Sequence, residues 1–340
     1  MEAIQDRYSP CSIVESVGQG GCSYTVQITR HRGKHAAKGT HHNLIIQFRP
    51  IRFAISADVA SAASSWYGTL APWLTEICHI PADDSDALIM YRISYLAGQR
   101  LDSLLPSPRI PFDKMLLSKY RILLDGLAAF YATAWTTGAR LKRGGKTPMR
   151  AGKVGSSLLP RLQTLQTQLP SRALRSIASS AAQSVATGAL DCIPTVFTHG
   201  DLLPSNILVD EQTWHIKGIV DWAESEFLPF GLSLYNLEHL LGRVVDSDSD
   251  RRCRFVYLAE AATLRRHFWE RMVCVIPKLA QREFREAVEL ARTVGILLWH
   301  GFAWDDGKID RVVEIGRDGR EIAFLEAFLD SDRRHEMARL

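Results

Sequence analysis

Within this 340-residue chain, the stretch at residues 197–221, FTHGDLLPSNILVDEQTWHIKGIVD, constrains the fold more than any other. Asp201 and Asn206 stand five positions apart, close enough for a carboxylate and an amide to share one tight loop. Residues 207–209 then read as a short apolar strand, 210–213 as a polar turn and 215–220 as a second strand. That hairpin returns Asp221 to the side of Asn206. Such a set suits phosphoryl transfer, with Asp201 facing a hydroxyl while the Asn206 side-chain oxygen and the Asp221 carboxylate face magnesium. A lone His-x-Asp is more simply a buried structural Asp or a helix cap, but the ordered set with strand-forming residues between is harder to explain that way.

The same segment resembles the catalytic loop of the aminoglycoside phosphotransferase and choline kinase-like family, relatives of the protein kinases, in which the loop reads H-G-D-x-x-x-x-N. Ile219, Val220, Asp221 and Trp222 resemble the family's metal-binding I-D-W element, which stands where protein kinases carry D-F-G. The following AESEFLPFG resembles fungal members. The resemblance implies an α+β, bilobal, protein-kinase-like fold. A small sheet-rich nucleotide-binding lobe with its hinge would occupy residues 1–97, and a larger, mainly helical catalytic and acceptor-binding lobe residues 98–340. It further implies ATP and magnesium as cofactors, Asp201 as catalytic base, His199 and Gly200 as shapers of the loop, and Asn206 and Asp221 as magnesium ligands.

The N-terminal residues fit that division. Residues 13–17 alternate as a strand, Gly18, Gly20, Gly21 and Ser23 mark a flexible turn, and residues 24–29 resume the alternation. Such a turn lets backbone N–H groups approach phosphates without Cβ obstruction, although a plain hairpin turn reads the same. Residues 44–49 resemble the family's third strand, where a lysine normally reaches the nucleotide phosphates. Here Gln47 takes the lysine's position, and Arg49, two residues on and on the same face, is the candidate to supply the missing charge. Residues 57–70 read as a helix that offers Asp58 rather than a glutamate as a partner. Residues 88–93, with Tyr91, form an apolar strand that resembles the hinge against which adenine binds.

From Gln99 onward helical windows dominate, at residues 112–138, 156–169, 171–189, 232–245, 253–264, 281–302 and 320–329. Residues 127–189 contain no Asp or Glu but include Arg140, Lys142, Arg143, Lys146, Arg150, Lys153, Arg161, Arg172 and Arg175. A one-signed surface concentrates ligands of opposite sign, and a solvated basic face is the plainer reading. If part of this segment borders the acceptor, the acceptor is neutral or anionic, because a polycation would want carboxylates. Glu224, Glu226, Trp304, Asp305 and Asp306, with Trp299, are the acceptor-side candidates. His31, His35, His41 and His42 lack a carboxylate or cysteine companion and read as loop rather than metal site.

Composition narrows the class. With 46% hydrophobic and 23% charged residues and a net charge of +4, the chain reads as a soluble globular enzyme. The acidic N-terminus lacks a targeting pattern, residues 123–139 suit a buried helix better than a membrane span, and the six cysteines form no C-x-x-C pair. These readings point to the cytoplasm, with no membrane and no nucleic-acid partner. The expected activity is ATP- and magnesium-dependent phosphate transfer to a hydroxyl of a small molecule. The alternative, motivated by Gln47, is a kinase-fold protein with a degenerate nucleotide site that binds a metabolite or partner or catalyses another step.

Overall fold

The computed structural model describes residues 4, 7–8, 11–15, 19, 21–30, 42–81, 87–145, 154–246, 253–305 and 308–330. The chain divides into two compact units, Met1–Ala97 and Gly98–Leu340.

The first unit is built on strands β1 (Cys11–Glu15), β2 (Tyr24–Arg30), β3 (His42–Pro50), β4 (Leu74–Ile80) and β5 (Leu88–Ser94), with helix α1 (Ala57–Tyr67) between β3 and β4. The strands pair in the order β1-β2-β3-β5-β4, every neighbour antiparallel. Alternation divides β3 between two faces. Ile46 joins Val26, Ile28 and Met90 in a core closed by Ile4 and Tyr8, with Leu44 and Phe48 packed against it. Ile45, Gln47 and Arg49 therefore occupy the other face. The Ser56 hydroxyl caps α1 by accepting from the Asp58 N–H at 3.2 Å.

The second unit comprises β6 (Gln99–Arg100), α2 (Lys114–Arg143), α3 (Leu158–Gln168), α4 (Arg172–Ala186), β7 (Thr195–Thr198), β8 (Ile207–Val209), β9 (Ile216–Ile219), β10 (Glu226–Pro229) and α5 (Asn236–Leu240). It continues through β11 (Gly242–Asp246), β12 (Cys253–Tyr257), α6 (Ala261–Val275), α7 (Arg282–His300), β13 (Phe302–Asp305), β14 (Lys308–Val312) and α8 (Gly319–Phe328). The 30-residue α2 runs through its centre. Its start is fixed by the Asp113 carboxylate, which accepts from the Leu116 N–H at 2.7 Å, a cap that contributes about 1 kcal/mol. Leu123, Leu124, Leu127, Tyr131 and Trp135 recur at helical spacing and are buried. Trp135 meets Phe230 edge-on at 4.9 Å, and Tyr131 meets both Phe230 and Phe268. At Gly138 a Cβ would lie 2.6 Å from the Thr195 carbonyl, so only glycine lets α2 lie this close to β7. Among the described residues no helix is long and apolar enough to cross a membrane.

The expected α+β class holds, with a sheet-rich first unit and a mainly helical second. Two of the expected helices do not. Residues 232–245 form a 3-10 turn (Leu232–Tyr235), the short α5 and then strand β11, while residues 253–257 form β12 and α6 starts only at Ala261. The β11–β12 pair aligns Gly242 with Tyr257 and Asp246 with Cys253. Arg243-Val244-Val245 and Arg254-Phe255-Val256 are rich in β-branched and aromatic side chains, and cross-strand pairing overrides the apolar periodicity that suggested helix. Residues 302–305 and 308–312 form the hairpin β13–β14.

Candidate active site

Strand β7 is buried along its whole length and delivers the chain to residue 199. It pairs with β10, Thr198 opposite Glu226, and the Thr198 hydroxyl donates to the Glu226 carbonyl at 2.8 Å. The loop that follows is held mostly through its own backbone. The Asp201 N–H donates to His199 Nδ1 at 3.2 Å, so His199 carries its proton on Nε2 and donates it to the Val220 carbonyl at 2.8 Å. Burial holds this imidazole down to about 4, against the partly offsetting Val220 carbonyl and Asp221 carboxylate. His199 is therefore a neutral brace between the loop and the strand that leads to Asp221. Gly200 adopts φ +79°, and a Cβ there would collide with the Glu224 carbonyl. A larger residue fits neither the backbone conformation nor the space.

Past the loop, a 3-10 turn (Pro204–Asn206) brings the Asn206 side chain back over Asp201. Its Nδ2 donates to the Asp201 carbonyl at 2.8 Å and to the Asp201 carboxylate at 3.1 Å. The Asn206 carbonyl accepts from the Val220 N–H at 2.9 Å, and β8 pairs with β9 through Ile207 and Ile219. These bonds set Asp221 beside Asn206. Asp221 itself adopts φ +60°, a left-handed conformation that a side chain other than glycine enters at a cost. Trp222 fixes this corner: its indole N–H donates to the Ile219 carbonyl at 2.7 Å, and its ring stacks on Phe197 and tilts against His199.

The structure thus brings Asp201, Asn206 and Asp221 into one neighbourhood braced by His199. The electrostatics follow from that crowding. Burial first, then the Asp221 carboxylate, and to a smaller degree Glu224, push the Asp201 carboxyl up to about 7, while the Asn206 hydrogen bond works against them. A carboxyl so poised is a competent proton acceptor near neutral pH.

The donor set also suits a hard cation. With the amide nitrogen of Asn206 engaged by Asp201, its oxygen is the atom left to face a metal, next to the Asp221 and Asp201 carboxylates. Among the described residues no three His, Cys, Asp or Glu side chains gather into a metal cage. Magnesium that bridges to phosphates needs only one or two carboxylates from the protein, so the two observations agree.

Three supports of the loop escaped the sequence reading. Tyr235 donates its hydroxyl to the Gly200 carbonyl at 3.0 Å, Asn236 Nδ2 donates to the Leu202 carbonyl at 2.5 Å, and the Ser225 hydroxyl donates to the His199 carbonyl at 3.0 Å. Their one signal is a polar pair, Tyr235-Asn236, set among apolar residues that are all buried. Trp299 stacks on Tyr235, with centroids 5.0 Å apart and ring planes 13° from parallel. It thereby reaches the back of the catalytic loop.

The other acceptor-side candidates separate. Glu224 is half-buried and its charge is felt at both Asp201 and Glu226. Glu226 does not face an acceptor: its carboxylate accepts from the N–H groups of Val154 and Gly155, the latter at 2.6 Å. Asp305 is likewise engaged, by Arg311 at 2.8 Å and Arg317 at 3.4 Å, inside its own hairpin. Trp304 is exposed, and Asp306 lies outside the described residues. Three residues of the basic segment bond to main-chain carbonyls. Lys142 Nζ donates to the carbonyls of Asp191, Cys192 and Ile193, Arg161 to that of Ile309, and Arg175 to those of Leu169 and Pro170. Lys146, Arg150 and Lys153 lie outside the described residues. Arg140, Arg143 and Arg172 are exposed.

The first unit carries the candidate nucleotide-side residues. Gly21 and Ser23 lie in the turn before β2, while Gly18 and Gly20, like His31, His35 and His41, fall outside the described residues. Gln47 donates to the Thr25 hydroxyl at 3.0 Å, and Arg49 is buried on the same face of β3. Tyr91 belongs to β5. It sits mid-sheet, opposite Gln47 on β3 and Glu76 on β4, with its ring buried and its hydroxyl accepting from the Ile55 N–H at 3.0 Å.

Residues 117–235 match the phosphotransferase enzyme family. The resemblance read from the catalytic loop therefore holds over a segment that reaches from α2 through Asp201, Asn206 and Asp221 to Tyr235. No curated protein matches the chain by sequence. Among solved structures, the choline kinase of Cryptosporidium parvum Iowa II is 12% identical, with 99% of this chain and 93% of that one covered at a TM-score of 0.52. A protein from Ralstonia eutropha JMP134, provisionally described as an aminoglycoside phosphotransferase, is 14% identical, with 88% and 95% covered at a TM-score of 0.50. At such identities the likeness is one of fold alone, the α+β, protein-kinase-like class.

Proposed function

We propose that this protein is an ATP- and magnesium-dependent phosphotransferase that acts on a hydroxyl group of a small-molecule acceptor. The observation that carries the reading is the Asn206 side chain bonded to both the carbonyl and the carboxylate of Asp201, with Asp221 returned beside it by the β8–β9 hairpin. Asp201 orients the acceptor hydroxyl and takes up its proton as the oxygen bonds to the γ-phosphorus, while the bond from that phosphorus to the β,γ-bridging oxygen breaks and ADP leaves. Asn206 keeps the carboxylate aimed, and His199 and Tyr235 keep the loop in place. Asn206 and Asp221 would hold magnesium, which would supply neutralisation of phosphate charge. Gly21, Ser23 and Arg49 of the first unit are the candidates to meet the nucleotide. Little covalent work falls to the protein, because a loose transition state is served mainly by positioning and charge.

Asp201→Asn tests this directly. The variant should bind ATP with magnesium as the parent does and lose turnover by at least about a hundredfold. A well-folded parent that binds no ATP, or a variant that turns over normally, overturns the reading. A binding protein without phosphate transfer is the second reading, and Gln47 motivates it, since a neutral amide stands where a cation is expected. ATP bound by the parent without turnover against a broad pool of hydroxylated metabolites would favour it.

A further inference from the structure

Gln47 departs from the family pattern, and its surroundings give it another occupation. Its Nε2 donates to Thr25 Oγ1 at 3.0 Å, directly across the β2–β3 ladder. Thr25 is gripped a second time through its backbone. Its N–H donates to Gln19 Oε1 at 2.7 Å, and its carbonyl accepts from Gln19 Nε2 at 2.8 Å. The pairing of β1 with β2 ends at Glu15 opposite Val26, one residue short of Thr25. The Gln19 carboxamide, with one acceptor and one donor, thus stands in for the next peptide group that β1 would have offered. Tyr24 adds a bond from its hydroxyl to Glu15. A continuous path of hydrogen bonds therefore runs from the turn, through Thr25, to the third strand.

We infer that Gln47 is a positioning residue which, through Thr25, secures Gln19 and with it the turn that carries Gly21 and Ser23. The first unit then orders its phosphate-facing turn with an uncharged amide–hydroxyl latch at the strand position where the family carries a lysine. This rests on reading that unit as the nucleotide-binding one. An amide suits the task because it can donate to a hydroxyl without bringing a charge that must be solvated or paired. A hydroxyl suits the middle position because Thr25 accepts from Gln47 at its side chain while its own N–H and carbonyl stay available to Gln19. Each link is a neutral hydrogen bond, so removal of one should loosen the turn about fivefold, the equivalent of about 1 kcal/mol.

Hydrogen exchange on peptides covering residues 21–26, combined with calorimetric ATP binding in the full chain, tests the latch. Gln47→Leu and Thr25→Val should each speed exchange at the Thr25 amide and weaken ATP binding about fivefold, and the double variant should do no more than either alone. Thr25→Ser, which keeps the hydroxyl, should behave as the parent. Thr29→Val is the control, because Thr29 makes the corresponding bond to Asn43 Oδ1 at 2.9 Å farther along the same two strands. It should leave the turn unchanged. Gln47→Lys should bind ATP no more tightly than the parent. The latch is overturned if Gln47→Leu leaves exchange at Thr25 unaltered, if Thr29→Val loosens the turn as much as Thr25→Val, or if Gln47→Lys binds ATP at least about tenfold tighter with the turn unaffected. If the parent binds no ATP at all, the phosphotransferase reading fails while the exchange measurements still decide the latch.

Discussion

Asp201 illustrates how the residue proposed as catalytic base can oppose the stability of its own fold. Its carboxyl is raised by burial and by Asp221 from the ordinary 3.8 to about 7. The sign follows: the folded state holds the proton more tightly than the unfolded chain, so stability is full below the unfolded value and is lost as pH rises through 7. Asparagine keeps an oxygen for the Asn206 amide and has no charge to lose. Asp201→Asn should therefore melt at a higher temperature than the parent at pH 8 in the absence of magnesium, with the difference vanishing near pH 4. A lower melting temperature at pH 8 would contradict this account. The same shift predicts that turnover falls on the acid side as Asp201 protonates, and that more magnesium, by offsetting the Asp221 charge, moves this limb to lower pH. Tyr235→Phe tests the brace. The Gly200 carbonyl would lose its donor at a cost of about 1–3 kcal/mol, and kcat should drop with KM for ATP unchanged. If both constants stayed at parental values, Tyr235 would be packing alone. Asp201, Asn206 and Asp221 were legible in the sequence because five-residue spacing and a hairpin are local facts. Tyr235 and Asn236 were not, because their contacts to residues 200 and 202 span more than thirty positions.

At the scale of elements, the second unit is tied by a buried ionic cluster. Glu238 of α5 takes Arg265 of α6 at 2.8 Å and 3.1 Å, Arg292 of α7 at 2.6 Å and the Tyr257 hydroxyl of β12 at 2.9 Å. Burial would push its carboxyl up, but Arg292, Arg265 and the hydrogen bonds overcome that and hold it at about 2. Next to it, His239 and His300 face one another at 3.3 Å among Phe324 and Phe328, and burial keeps both neutral, His239 down to about 3. For all three the folded state binds its proton less readily than the unfolded chain. Their contribution is full above the unfolded values, begins to fall as pH drops below about 6.5 for the histidines and 4.5 for Glu238, and is lost through the folded values. The melting temperature should decline steeply between pH 6.5 and pH 4, and a flat profile over that interval would exclude these groups as its cause. Arg292→Ala removes one of the two cations paired with the buried Glu238, leaving Arg265, and should cost up to about 3 kcal/mol in denaturant unfolding. The elements joined here are also those the sequence misplaced. Apolar letters at residues 232–241 suit a helix, and only the pairing of β11 with β12 and the packing of α8 against that hairpin show that the run must break at Gly242. The β8–β9 hairpin was readable because its turn residues, Asp210 to Thr213, carry their own hydrogen bonds.

Charge is the property that separates the whole molecule from a reading of its letters. A stretch of chain with nine basic and no acidic side chains suggests an electrostatic surface, yet three of those side chains, Lys142, Arg161 and Arg175, bond to main-chain carbonyls. Lys142 is the clearest case. It stands in the last turn of α2, where a cation also meets the negative end of the helix, and reaches the carbonyls of residues 191–193 just before β7. His199 leaves the opposite end of β7, about 13 Å away at 3.3 Å per strand residue. A charge so placed supports the strand that delivers the catalytic loop and does not border the loop itself. Lys142→Ala should accordingly lower stability by about 1 kcal/mol and leave KM for both substrates unchanged at low and at moderate salt, whereas a screened acceptor contact would show a salt-dependent rise in KM. Thermal melts and kinetics at two ionic strengths separate these outcomes. A rise in acceptor KM confined to low salt would place the basic segment at the acceptor site and favour an anionic substrate.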